Sequence, residues 1–529
     1  MDYRTMPHEQ RMKVSDESPP DNRRDLQTYY VRNIDHWLVN FKHCTDHLVA
    51  LKQSFNTLNI TKSIYNLCIK LLKYFPILTS NLIQLLKVFI EYLILQTPIE
   101  ETNHINTKLQ MYLTKIFATL FTHQNFLEQI VENSIKDNRR TLVDIMSFLI
   151  QHYNHEYVQI DCEKHFQLFL TIYNGKLSLD DQHILNAMYT YEKYGYTMYD
   201  KYKPFIWGEQ ALKFYTLNRQ KKTLWHTPNL ATILALLEDN VMLNSILYYP
   251  VVRRLRTLEP VVYEHGDIIY DPTFLIPVFY HSLAPECIVQ CQQFVEKRCL
   301  SYCLMALSTR CALLRAVVYN CLWRFEQHLI SQRFYCKDQI STMLLLLKNG
   351  VRKSNLKLAP IVSLFLSKLV DLFTKPESKF YRRISRYLLK QSYIDLVHVP
   401  LFAELFHSLT MEHKQERSWI LNLLKYGIKD PIDYRLCTKS YVFKTLMTFY
   451  NCSLSDNATK LEIIEIFHST SKISESLMSL MYDYGLLLWL QTIIKDCTIS
   501  KHLAQITLTM LADCLHQLHI SSSKVSLTD

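Results

Sequence analysis

Apolar residues recur at spacings of three and four along most of this chain, with polar residues between them, the signature of helices that bury one face. The stretch from Thr79 to Gln96 (TSNLIQLLKVFIEYLILQ) is representative: its apolar positions form one stripe, and Lys87 and Glu91 are placed i,i+4 on the opposite side. Boundary signals punctuate the pattern. Thr227 before Pro228 predicts an N-cap with proline at the first helical position, and Tyr249-Pro250 predicts a stop. Asn349-Gly350 and Tyr426-Gly427 predict C-terminal ends after strongly apolar runs. Helices of about 12 to 20 residues joined by short polar links amount to about twenty or more elements, too many for one core, which stops growing at about 250 to 300 residues.

Composition narrows the class. An average chain of this length would carry roughly 37 glycines, whereas this one has seven in 529 residues. Hairpins, bulges and phosphate loops draw on glycine because it takes positive φ without steric penalty. The chain is therefore predicted to be all-α. Stacked helix pairs, each burying its apolar face on its neighbours, accommodate this many elements as an irregular HEAT/armadillo-like α-solenoid. No strict repeat period is visible, and two or three separate helical bundles are the alternative.

Residues 1–25, dense in charge and proline, are expected to be disordered. Residues 26–176 read as N-terminal helical repeats, 177–285 as an aromatic- and proline-rich segment with helices, 286–520 as C-terminal helical repeats and 521–529 as a disordered tail. The third segment is the least repetitive, and its part from Lys203 to Leu283 holds two of the seven glycines and two of the six tryptophans. Its breaks at Trp207-Gly208, Trp225-His226-Thr227-Pro228 and Tyr270-Asp271-Pro272 read as corners between helices.

No uninterrupted apolar run reaches membrane-spanning length, and no signal peptide is visible in the polar first residues. The fourteen cysteines are scattered like small hydrophobes in a reducing compartment, which predicts an intracellular chain and makes the sequons at Asn59, Asn451 and Asn457 coincidental. Cys287, Cys291, Cys299 and Cys303 have a spacing that invites a zinc site. On one continuous helix the two pairs would lie about 18 Å apart, so only a turn near Glu296 to Arg298 would unite them, and buried packing is the preferred reading. Phosphate-loop, dinucleotide and nucleophile-elbow motifs are absent, and His155-Glu156 lacks the second zincin histidine because Gln159 stands there. The chain is predicted to be no enzyme and to need no cofactor.

Charge is uneven. The formal net charge is +10, yet Lys201 to Arg256 carries nine basic and three acidic residues and Val351 to Lys390 ten basic and two acidic. Lys379, Arg382, Arg383, Arg386 and Lys390 recur at helical spacing, with Ile384, Tyr387 and Leu388 left for the other side. Such a stripe suits a phosphate backbone, and a solvated helix face is the plainer reading. Arg219, Lys221, Lys222, Arg253, Arg254 and Arg256 from the first segment, with Arg352 and Lys353 from the second, complete the candidate RNA contacts. None belongs to a base-reading module, so shape and backbone contacts are expected.

The blocks WGEQALKFYTLN from Trp207, LWHTPNLATILALLEDNVMLNSILYYPVVRRL from Leu224 and YDPTFLIPVFYHSL from Tyr270 resemble the C-terminal region of the nucleolar pre-ribosomal-associated protein 1 family. LLKNGVRKSNLKL from Leu346, FYRRISRYLLKQSYIDLVHVPLFAELF from Phe380, SWILNLLKYGIKDPIDYRLCTKSYVFKTLMTFYNCSLSD from Ser418 and MYDYGLLLWL from Met481 continue the resemblance in order. It covers Leu177 to Leu490. The resemblance implies a non-enzymatic nucleolar scaffold in early large-subunit ribosome biogenesis. It also implies association with pre-rRNA and pre-ribosomal particles, small nucleolar RNPs and assembly factors including a DEAD-box helicase. Members are usually much longer, so the chain is expected to be a C-terminal portion, an incomplete gene model or a shortened relative. A protein-binding solenoid adaptor without RNA contact is the second functional reading.

Overall fold

The computed structural model describes residues 61–74, 77–95, 103–131, 136–152, 161–194, 205–211, 213–214, 228–255, 259–495 and 501–525. Helices make up most of these, and no strand occurs among them; the isolated antiparallel bridge between Lys176 and Tyr270 is the nearest approach to one. The fold is all-α and solenoid-like. The N-terminal stretch 1–25 and the corner at Trp225 to Thr227 lie outside the described residues. The last helix, Lys501–Val525, runs into the stretch read as a disordered tail, of which 526–529 lie outside the description.

Two units divide the chain: Met1–Phe166 with His183–Thr197, and Gln167–Gln182 with Met198–Asp529. In the first, α1 (Thr61–Tyr74) packs on α2 (Ser80–Leu95) and α3 (Asn103–Phe121), while α4 (Lys136–Gln151) packs on α2 and α3. Leu82, Ile83, Leu86, Ile90 and Leu93 of α2 and Val143, Met146 and Leu149 of α4 are buried, as the three-and-four spacing predicts. Lys87 is bound elsewhere than to its i,i+4 neighbour Glu91. Its Nζ lies 2.8 Å from Asp144 Oδ2 on α4, and Asp144 Oδ1 meets His183 Nδ1 at 2.6 Å. Burial acts to raise the Asp144 carboxyl, but the hydrogen bonds from His183 and Lys87 outweigh it and hold the group below its ordinary range.

The second unit contains a column of helices, each packed on the next: α5 (Asp239–Leu247), α7 (Cys299–Ala306), α10 (Pro360–Phe373), α12 (His413–Gly427), α13 (Asn457–Ser471) and α14 (Lys501–Val525). Outside this column, α6 (Pro272–Ser282) packs on α8 (Ala312–Ser331), and α9 (Lys337–Gly350) packs on α11 (Tyr381–Lys390). The column is the core: in α7 every residue is buried, and in α10 twelve of fourteen. The starts of successive column helices fall 60, 61, 53, 44 and 44 residues apart, which is why no fixed period is visible in the sequence. At Gly427 the backbones of α12 and α10 come together; a Cβ there would stand 2.9 Å from Ile361 Cγ1 and 3.0 Å from its Cα. Ends at Gly350 and Gly427 match the sequence signals.

Where it is described, Lys203 to Leu283 forms helices joined by corners, and Trp207, Tyr249 and Tyr270 at those corners are buried. Leu177 N donates to Ile269 O and Asp271 N to Gly175 O, both at 2.9 Å, pinning this segment to the chain just before α-helix Leu179–Lys193. Gly266 fits because a Cβ would reach within 2.6 Å of the Leu177 carbonyl oxygen. Tyr173 and Trp207 both set their rings edge-on to Phe274, at 4.7 and 5.3 Å. The helix predicted to start after Thr227 is capped instead by Asn229, whose Oδ1 accepts from Thr232 N at 2.8 Å. Asp271 caps α6, accepting from Thr273 N and Oγ1 at 2.9 and 2.7 Å, with Pro272 at the first helical position.

Candidate nucleic-acid interface

Helix α11 owes its amphipathicity to Ile384 and Leu388, both buried, while Arg382, Arg386, Leu389 and Lys390 are exposed. Tyr387 stands edge-on to Phe365 of α10 at 6.4 Å, and burial pushes its hydroxyl up to about 12. The basic stripe is not uniform. Arg383 turns inward: its guanidinium donates to Ser408 Oγ at 3.0 Å and to the Glu404 carbonyl at 2.7 Å, and forms an ion pair with Glu416 of α12. Burial works against the Glu416 carboxylate, but hydrogen bonds from Ser408 and Arg383 hold it below the ordinary range. Lys379 is exposed and bound to Glu412 at 2.6 Å.

The positive excess of Val351 to Lys390 resolves similarly. Lys357 pairs with Asp430, Lys375 with Asp371, and Lys368 donates to Asn422 Oδ1 at 2.5 Å, with burial pushing its ammonium down to about 8. Among the described residues, Arg382, Arg386 and Lys390 on α11, and Arg352 and Lys353 after α9, remain exposed without an ion pair. These two groups are where the excess is available to an anion.

Arg253 is misplaced as a contact candidate. Only 3% exposed, it donates to both Asp271 oxygens, from Nη2 at 2.7 Å and from Nε at 3.3 Å. Burial alone would lower its pKa, but the Asp271 charge reverses the sign and raises it. It is a structural cation holding a corner. Arg254 is exposed, while Arg219, Lys221, Lys222 and Arg256 lie outside the described residues.

Within the cysteine quartet the chain does break at Lys297 and Arg298, where Arg298 takes φ +59°, between helix Cys291–Glu296 and α7. Cys287 Sγ contacts the His281 carbonyl at 3.6 Å and Cys299 Sγ the Lys297 carbonyl at 3.7 Å. Burial raises the pKa of all four thiols, which keeps them protonated. Among the described residues no group of three or more His, Cys, Asp or Glu side chains is placed to hold a metal ion. No single described helix is long and apolar enough to cross a membrane.

Sequence reasoning missed a cleft between α8 and α9, closed by the turn through Asn355 and about 350 Å³ in volume. Tyr319, Leu322, Trp323, Leu344 and Leu347 line it, with Lys348, Arg352 and Lys353 at its rim. The legible signal was Tyr319 and Trp323 four residues apart on one helix, facing the run that ends in Lys348 and Arg352.

No solved structure matches this chain. The family model described as nucleolar pre-ribosomal-associated protein 1 matches residues 300–489, which includes α11, the cleft and the column from α7 to α13. Nucleolar pre-ribosomal-associated protein 1 of Mus musculus is 30% identical over 422 residues, covering 77% of this chain and 18% of that protein. Its counterpart in Homo sapiens is 29% identical over 433 residues, covering 79% of this chain and 19% of its own length. The Saccharomyces cerevisiae protein of that name is 22% identical over 129 residues. The chain thus spans about a fifth of the length of the mammalian relatives. Their names place these relatives in the nucleolus and with pre-ribosomes. The chain is thus similar to the nucleolar pre-ribosomal-associated protein 1 family, through the family model over residues 300–489 and over 77% of its length in the comparison with the Mus musculus protein.

Proposed function

We propose that this chain is a non-catalytic helical scaffold of early large-subunit ribosome assembly in the nucleolus, and that it contacts pre-rRNA through the exposed row Arg382, Arg386 and Lys390. The observation that carries the contact is the division of labour among the cations of α11 and of Lys379 just before it. Arg383 and Lys379 are bound to Glu416 and Glu412, while the other three cations face solvent on a helix anchored by Ile384 and Leu388. A row of cations at helical spacing follows a phosphate backbone without reading bases. Arg254, and Arg219, Lys221, Lys222 and Arg256 with it, extend the proposed RNA contact. Small nucleolar RNPs and a DEAD-box helicase are the proposed neighbours in the assembly, and no part of the role requires catalysis or a cofactor.

The test is binding of structured pre-rRNA fragments by the full chain across a salt series. Arg382→Glu with Arg386→Glu removes most of the binding at low salt, and Arg383→Ala lowers stability without changing the salt dependence of what binds. Undiminished binding in the double charge reversal overturns the contact.

A further inference from the structure

The cleft between α8 and α9 is built differently from the RNA-facing row, and it is preformed. Asn355, at φ +53°, turns the chain at its mouth and donates from Nδ2 to the Ala312 carbonyl at 3.0 Å. Arg315 Nε donates back to the Asn355 carbonyl at 2.8 Å, and Tyr319 Oη to the Leu356 carbonyl at 2.8 Å. The α8 wall is thereby tied to the turn that follows α9. Leu322, Leu344 and Leu347 form an aliphatic floor, and Trp323 stands at the edge with 56% of its surface exposed. Lys348, Arg352 and Lys353 are exposed around it, with Glu326 the single carboxylate of the lining.

We infer that this cleft docks an acidic, amphipathic segment of a protein partner, two or three apolar side chains seated on the leucine floor and carboxylates meeting Lys348, Arg352 and Lys353. Three observations select this occupant. The floor is aliphatic, whereas a nucleobase is recognised by polar groups aimed at its edges. Its position between two successive, contacting helices matches the groove in which apolar anchors at i, i+3 and i+4 are received. The rim is cationic around an exposed tryptophan, the pairing of charge complementarity with an aromatic anchor found at specific protein interfaces. Arg352 and Lys353 thereby pass from RNA contacts to peptide contacts, and the inference stands independently of RNA binding by α11.

The experiment selects a phage-displayed library of short random peptides on the immobilised full chain, with the Trp323→Ala chain for counter-selection. The expected peptides share a pair of apolar residues three or four apart and a net negative charge. A fluorescein-labelled representative, followed by anisotropy, loses at least about tenfold in affinity with Trp323→Ala and with Arg352→Glu/Lys353→Glu. Its affinity is unchanged by Arg382→Ala/Arg386→Ala. These are surface changes, and Lys348→Glu supplies a further variant where either one unfolds. Enriched peptides that lack acidic or apolar residues, or affinities within about twofold of the parent for the cleft variants, overturn the inference. So does a labelled oligouridylate that binds with Trp323 dependence while no peptide is enriched, which assigns the cleft to single-stranded RNA.

Discussion

Replacing Asp271 by asparagine isolates the buried ion pair at the corner before α6. Asparagine caps a helix about as well as aspartate, so the hydrogen bonds to Thr273 can persist while the charge that balances Arg253 is lost. Arg253, 3% exposed, is then a buried cation without its counterion. Breaking such a pair from one side is destabilising by about 3 to 5 kcal/mol. Each 1.4 kcal/mol is a factor of about ten in an opening equilibrium, so amides of α6 exchange about a hundredfold or more faster. Hydrogen exchange followed by mass spectrometry reads this locally, without requiring the two units to unfold together. Arg253→Met combined with Asp271→Asn removes both charges and restores more than half of the lost protection. Two outcomes refute the reasoning: a loss below about 1 kcal/mol in Asp271→Asn, or a double variant whose loss equals the sum of the singles. A further consequence is that RNA binding lost in Arg253→Ala reports a broken corner, not a missing phosphate contact.

Other outcomes follow from the same geometry. Replacing Arg382, Arg386 and Lys390 by alanine lowers the slope of log K against log salt by about 2 to 3 if each meets one phosphate, measured by filter binding of a pre-rRNA fragment. His165 lies buried beside Phe117 and Phe121, with Nδ1 2.9 Å from Tyr191 Oη, and burial pushes its pKa down to about 3. The unfolded chain therefore takes up this proton first, so His165's contribution is complete above about pH 6.5 and falls by about 1.4 kcal/mol per pH unit as pH drops toward its folded value. Subtracting the pH profile of His165→Phe stability from that of the parent isolates this slope, and parallel profiles refute it. Gly427→Ala gains about 1 kcal/mol of helix propensity but forces a Cβ against the Ile361 backbone. Overpacking of about 1 to 3 kcal/mol outweighs that gain, and a lower thermal midpoint is expected.

Helix class and several boundaries were legible because their causes are local. Scarce glycine removes the turns a sheet needs, and Gly350 and Gly427 end helices where apolar runs stop. Partnerships across the fold were not legible. Lys87 finds Asp144 from 57 residues away, Arg253 finds Asp271 from 18 and Arg383 finds Ser408 from 25. A charge at helical spacing looks alike in sequence whether it faces water or a distant carboxylate, so Arg382 and Arg383 were inseparable until their neighbours were placed. The cleft was hidden for the same reason: its aromatic wall lies on α8, whereas its basic rim comes from the end of α9 and the turn after it.

The uneven spacing of the column has a thermodynamic explanation. Bringing two stacked helices together closes a loop, and the entropic penalty grows only with the logarithm of its length. Closing 61 residues instead of 44 differs by about 0.3 kcal/mol, less than the contribution of one buried methylene, about 0.8 kcal/mol. Connector length is therefore almost invisible to stability, whereas the faces of α7, α10, α12 and α13 are not. Insertions between column helices are expected to be tolerated far better than a single polar substitution on their buried sides, leaving room for surfaces such as the α8–α9 cleft to be elaborated without disturbing the stack.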